Sequence, residues 1–184
     1  KAVSAAVLEG DVPLACDFPI TTALPRGIAL GDAGPLGVYI GVYEKSPFEK
    51  TLRLIPRVVR LGIGCRKGTG EEAIRAAVNA ALAENGIDRR AVKCAASIDL
   101  KAQEAGLLAY CRAEGLPVEF YTAEELRAVR GEFTPSEFVK SVTGVDNVCE
   151  RAALRNAETL LIKKTARDGV TVAAAAEHWE VRFE

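Results

Sequence analysis

Methionine is absent from the 184-residue chain, and histidine and tryptophan occur once each. A chain that opens KAVSAAVLEG with no methionine anywhere reads as a piece of a longer protein, and that opening lacks the charged region and cleavage pattern of a secretory signal. With one histidine, any Ser-His-Asp or histidine-metal site would depend on His178, which is out of phase with Trp179, Val181 and Phe183 and is expected to face solvent. A charge excess of either sign is also missing. The 24 Lys plus Arg balance 25 Asp plus Glu, so nothing points to nucleic acid, and no charge run points to a membrane surface. Apolar residues make up 49% of the chain, but none of their runs approaches the roughly 20 residues needed to span a bilayer. The five cysteines are scattered without a CxxC pair, which favours reduced thiols in a cytoplasmic protein over a metal site.

What is present changes character near Pro56. Residues 1–55 carry proline and glycine punctuation among short apolar runs. A short helix is expected up to Glu9 with Gly10 ending it, then strands around Val38–Val42 and Leu52–Leu54. This part has modest material for a core and reads as the remainder of a central or linker region, with residues 56–184 as one α/β domain. There Val59, Leu61 and Ile63 mark a strand, and Ile74, Ala77, Val78, Ala81 and Leu82 one face of a helix. Val92–Ile98 and Val118–Tyr121 predict two more strands. Capping boxes are expected at Thr69/Glu72, Thr122/Glu125 and Thr134/Glu137, the last with Pro135 opening its helix, and Asp99 and Asp146 are candidate caps. Thr159–Thr165 and Val170–Ala176, joined through Asp168-Gly169, predict an antiparallel hairpin. The expected fold is a three-layer α/β sandwich with a mixed sheet and that hairpin at its end.

The stretch LGIGCRKGTGEE, Leu61 to Glu72, resembles a nucleotide loop but fails both fingerprints. A dinucleotide loop needs a third glycine where Lys67 stands, and a phosphate loop needs Gly-Lys-Ser/Thr where the order is Lys67-Gly68-Thr69. What survives is a strand-to-helix turn with flexible glycines, helix-start amides and two cations, which suits an anion such as an organic carboxylate. A plain turn with solvated cations fits the same residues. Cys65 could be a thiolate at a helix start, though a small turn-filling residue accounts for it as well.

A second cluster, Ser97, Asp99, Lys101 and Glu104, falls at the carboxyl end of the second strand of this region, the edge where ligands sit in open α/β sheets and where the glycine loop would also lie. A cap and an i, i+3 ion pair are the ordinary alternative. The third cluster, TGVDNVCERAAL, supplies Thr143, Asn147 and Glu150 around a helix start, with Gly144 as a turn residue.

LGIGCRKGTGEEAI, SIDLKAQEAGLLAYC with LPVEFYTAEEL, and TGVDNVCERAAL with VTVAAA resemble, in this order, the C-terminal domain of the CbiG family of anaerobic cobalamin biosynthesis and its small relative CobE. The resemblance runs from about Arg57 to the end, and KAVSAAVLEG and LRLIPR look like the tail of that family's central region. It implies cobalt-precorrin-5A hydrolysis: opening of a δ-lactone and release of acetaldehyde from a macrocycle that already carries cobalt, so that no separate cofactor or protein-bound metal is expected. Under that reading Gly64, Cys65, Arg66, Lys67, Gly68, Thr69, Ser97, Thr143 and Asn147 would bind the carboxylate-rich tetrapyrrole. Lys101 would polarise the lactone, Glu104 or Glu150 would act as general base, and Asp99 would orient its neighbours. The alternative is a non-catalytic corrinoid-binding or docking domain, with catalysis in an N-terminal domain. Transient contacts with neighbouring pathway enzymes are a further expectation.

Overall fold

The computed structural model describes the backbone of residues 1–184 and every side chain except those of Glu9 and Phe138. The chain divides into two compact units, one of Lys1–Arg57, Gly86–Ala91 and Trp179–Glu184, the other of Val58–Asn85 and Val92–His178.

In the first unit α1 (Ala2–Glu9) precedes four strands, β1 (Val12–Cys16), β2 (Ile28–Leu30), β3 (Leu36–Ile40) and β4 (Lys50–Leu54). They form one all-parallel sheet in the order β2-β1-β3-β4. Its core is Val12, Leu14, Val38, Ile40 and Val181, flanked by Val3, Ala6 and Val7 of α1 and by Trp179 and Phe183. This is more core than residues 1–55 offer by themselves, because the last six residues of the chain return to it. Val181 joins Ile20 in a single parallel bridge, and Phe18 meets Trp179 edge-to-face at 4.7 Å.

The second unit is built on β5 (Val59–Cys65), β6 (Val92–Ile98), β7 (Val118–Tyr121), β8 (Thr159–Arg167) and β9 (Val170–Ala176). The sheet order is β7-β6-β5-β9-β8, with β5, β6 and β7 parallel and the β8–β9 hairpin antiparallel. Asp168 (φ 50°) and Gly169 (φ 80°) turn the hairpin, both in the left-handed region that such two-residue turns require. The β5-α2-β6 and β6-α3-β7 crossovers advance the same way across the sheet, so the right-handed rule puts α2 (Glu71–Glu84) and α3 (Ala105–Ala113) on one face, where they pack together. The chain then returns over the other face through α4 (Ala123–Ala128), α5 (Glu137–Thr143) and α6 (Cys149–Leu154). Three layers and a mixed sheet result, as the strand and helix periodicities predict.

Small residues let α6 approach the sheet closely. Cys149 and Ala153 pack on Ala173 and Ala175 of β9, and a Cβ placed on Gly62 would stand 1.7 Å from the Cys149 carbonyl oxygen. That contact allows no other residue at 62 without moving the helix.

The helix starts differ from expectation more than the helices do. Thr122/Glu125 forms the capping box at α4. At α2 the N-cap is Gly70, and the Thr69 hydroxyl instead donates to the Arg66 carbonyl at 2.8 Å, closing the turn. Pro135 lies outside α5, whose cap is Ser136, accepting from Val139 N, while Thr134 is engaged elsewhere. Asp99 opens a separate 3-10 turn, Asp99–Lys101, before α3 begins at Ala105. Asp146 pairs with Arg151 at 3.0 Å, and α6 starts only at Cys149.

Candidate functional site

The glycine loop and the second cluster meet at the carboxyl edge of the β5–β6 pair. One carboxylate joins them: Glu104 Oε2 accepts from the Gly68 amide at 2.9 Å, and Oε1 pairs with Lys101 Nζ at 3.2 Å. The position follows from the chain path. The 3-10 turn after β6 lifts Lys101 to the rim, and Glu104 caps α3 beside the loop that leaves β5. Gly106 makes the approach possible, since a Cβ there would lie 2.0 Å from the Thr69 carbonyl oxygen. Sequence reasoning missed this glycine. Its signal was a lone glycine inside an otherwise helical pattern, EAGLLAYC.

Hydrogen bonding from Gly68, reinforced by Lys101, holds the Glu104 carboxyl below its ordinary range. The carboxylate therefore occupies the loop amide as an anion would, and the Gly68 amide is not open to a ligand while Glu104 stays in place. The remaining positive groups face outward. Arg66, Lys67 and Gly68 are exposed, and neither Arg66 nor Lys67 forms an ion pair among the described residues. Arg66 is seated on the hairpin turn: its amide donates to the Gly169 carbonyl at 3.0 Å, and its side chain covers the spot where a Gly169 Cβ would fall. Asp99 is exposed on the same stretch of chain. The acids of the first turn of α2 are engaged, Glu71 and Glu72 both pairing with Arg75.

Cys65 ends β5, partly buried. Burial pushes its thiol up, Lys101 only partly opposing and Glu104 adding to the rise, so at neutral pH it is a thiol and not the nucleophilic thiolate that a helix start can produce. Gly64 leaves room for the Thr171 hydroxyl, whose oxygen would be 2.5 Å from a Cβ there. Ser97 is fully buried and donates to the Ile63 carbonyl at 2.6 Å, stitching β6 to β5 underneath the rim.

The third cluster does not share this geometry. Asn147 and Glu150 are each 1% exposed. The Glu150 carboxylate accepts from Thr134 N (2.8 Å), Thr134 Oγ1 (3.0 Å), Asn147 Nδ2 (2.6 Å) and Lys164 N (2.6 Å). Asn147 Oδ1 in turn accepts from Glu150 N at 2.8 Å. Lys164 lies where the β8–β9 register slips, so its amide is free to point at Glu150. Thr143 is occupied locally, donating to Val139 and Val145 carbonyls. This network ties the 134 loop, α6 and β8 together, and its carboxylate has no acceptor site left for water or substrate. His178 is exposed and pairs with Glu158 at 3.0 Å.

Among the described residues no three metal-ligating side chains converge, and no helix is long and apolar enough to cross a membrane.

Cobalt-precorrin-5A hydrolase of Priestia megaterium is 31% identical over 134 residues, 72% of this chain and 36% of that protein. A "Probable cobalt-precorrin-5A hydrolase" of Methanocaldococcus jannaschii is 30% identical over 186 residues, 94% of this chain and 54% of its own length. The chain thus spans between a third and about half of these relatives. The crystal structure of CobE, a protein from the cobalamin (vitamin B12) biosynthetic pathway, matches with a TM-score of 0.62 at 33% identity, covering 66% of this chain and 92% of that one. The family model described as cobalamin synthesis G C-terminus matches residues 59–175, which hold the whole five-stranded sheet up to Ala175 and both halves of the clamped rim, and the chain belongs to that family.

Proposed function

We propose that this chain is the part of a cobalt-precorrin-5A hydrolase that grips the macrocycle and supplies the lactone-polarising cation. The observation that carries the reading is the clamp itself: Lys101 is held at the rim by Glu104, which also fixes the loop bearing Arg66 and Lys67. Three cations on one edge suit a substrate whose periphery is rich in carboxylates.

In this reading Arg66 and Lys67 bind peripheral carboxylates, and Lys101 donates to the lactone carbonyl oxygen, where negative charge develops as water adds. Ring opening leaves a carboxylate and a hydroxyl. Loss of the hydroxyl proton and collapse to a carbonyl then breaks the neighbouring carbon-carbon bond and releases acetaldehyde, with proton transfer to the carbon left behind. Glu104, bound to an amide and an ammonium, is a positioning group for Lys101 and the loop. Serving as the base would require it to leave Gly68. Glu150, fully hydrogen-bonded and buried, supports the fold. Cobalt arrives as part of the substrate.

The test is anaerobic incubation with cobalt-precorrin-5A, following the absorption spectrum and acetaldehyde release together, for this chain and for the full-length protein. Lys101→Ala should lower full-length turnover by about a hundredfold or more, the scale of losing one donor to a developing oxyanion. Arg66→Ala with Lys67→Ala should raise KM with a smaller effect on kcat. If Lys101→Ala and Glu104→Ala both leave turnover and affinity unchanged, the site is elsewhere.

The match to 92% of a CobE chain favours a second reading, because a protein consisting of little more than this sheet and its helices exists by itself. A spectral shift without acetaldehyde from this chain, with turnover only at full length, would make it the substrate holder and place the base in another domain.

A further inference from the structure

The first unit carries a cleft of about 570 Å³ at the carboxyl ends of β1 and β2. In the order β2-β1-β3-β4 the chain goes from β1 to one side and then to the other, so the β1–β3 boundary is a topological switch point, the place where parallel sheets open a crevice for ligands. Its volume lies within the range of small-molecule sites.

The polar lining is built around one carboxylate. Asp17 Oδ2 accepts from the Tyr39 hydroxyl at 2.5 Å, and Lys45 Nζ reaches both Asp17 oxygens at 3.1 and 3.3 Å. Burial and the Asp17 contact push the Tyr39 phenol well above its ordinary value, so it remains a donor. The Tyr43 amide donates to the same hydroxyl at 3.3 Å, and Lys45 Nζ sits 4.9 Å from the Tyr43 ring centroid. Gly41 is required here: a Cβ would fall 2.2 Å from the Tyr39 hydroxyl and 2.6 Å from Asp17 Oδ2. Asp32, just past β2, also lines the cleft, and its exposed carboxylate has no partner among the described residues. Leu14, Leu30 and Pro47 form the apolar wall, with Leu30 67% exposed.

These features select a ligand class. Two carboxylates face one ammonium, and that ammonium is committed to Asp17, so phosphates and polycarboxylates are disfavoured. The anionic macrocycle proposed for the second unit is therefore a poor occupant. An unpartnered carboxylate can accept from two adjacent hydroxyls at once. In dinucleotide-binding parallel sheets an acidic residue holds the ribose hydroxyls in this way. We propose that the cleft binds an uncharged, nucleoside-sized molecule whose vicinal hydroxyls are held by Asp32 and whose ring lies against Leu14, Leu30 and Pro47. The inference is independent of the activity proposed for the glycine-loop rim.

The test is a titration of the methyl-labelled 184-residue chain with adenosine, 2′-deoxyadenosine and AMP, following the leucine methyl resonances by NMR. Adenosine should shift Leu14 and Leu30 saturably. Removing the 2′-hydroxyl, or the carboxylate in Asp32→Ala, should weaken binding by about tenfold or more, the scale of a charge-assisted hydrogen bond. AMP should bind more weakly than adenosine. Absence of saturation, a smaller loss in either comparison, or AMP binding as tightly as adenosine would overturn the proposal. Asp32 has no structural partner, so the variant should keep the parent's methyl dispersion, and the loss of affinity would then belong to the carboxylate.

Discussion

Glu104 and Glu150 are both helix-start carboxylates that accept from backbone amides, but they belong to opposite layers of the same sheet. Glu150 is sealed among four donors from three segments. Glu104 stands at the rim with one amide and one ammonium, next to cations that face solvent. A sealed carboxylate with every acceptor site used stabilises a fold. One with few partners, at the edge where ligands enter, can be displaced or can move a proton. Residue type and motif context are alike for the two, and only the surroundings separate their roles.

Glu150→Ala tests the sealed half of this contrast and should have the largest effect on stability. It strands four donors, two of them backbone amides, and should lower the free energy of unfolding by roughly 3 kcal/mol or more. Chemical denaturation of this chain measures it, and a loss below about 1 kcal/mol would mean that water replaces the carboxylate freely. Gly106→Ala should come next. The added Cβ must push the Thr69 carbonyl away, at about 1–3 kcal/mol for overpacking, and it should loosen substrate affinity because the displaced loop carries Arg66 and Lys67. Unchanged KM in a destabilised Gly106→Ala variant would uncouple the loop from binding.

Glu104→Gln should have the smallest effect on stability at neutral pH, below about 1 kcal/mol for a rim ion pair. Its signature is the pH dependence. The folded-state pKa of Glu104 is depressed, chiefly by the Gly68 amide and then by Lys101. Its contribution is therefore complete above the unfolded-state value of about 4.3 and drains away as pH falls through the lower folded value. The parent should lose stability more steeply than Glu104→Gln on acidification below about pH 4. Parallel acid limbs would show that the clamp does not form in solution.

The elements of the second unit were legible because their periods are regular: alternation in β5 and β6, the Ile74–Leu82 stripe of α2, and Asp168-Gly169 at the hairpin. Of the first sheet only β3 and β4 were, around Val38 and Leu52, while β1, β2 and the parallel pairing were not. Its parallel strands are joined by loops without helices, so no 3.6-residue pattern announces them, and part of its core comes from Val181, more than a hundred residues away along the chain. The cap at Thr122 was readable because its partner Glu125 is local, whereas Thr134 was misread because its hydroxyl goes to the distant Glu150, and Thr69 because its hydroxyl turns back to the Arg66 carbonyl.

The α/β class, the strand-helix alternation, the glycine turn with its two cations, and the resemblance of three motifs to one family can all be read from residue order alone. These depend on local period, turn chemistry and residue order. It takes the folded chain to show that Glu104 reaches across to Gly68 while Glu150 is walled in, that Gly62 and Gly106 are points of close approach, and that Asp17, Asp32 and Lys45 line one cleft. Each of those is a contact between segments far apart in the chain. Its strength depends on which groups share the space and how much water they exclude, and that is fixed when the layers pack.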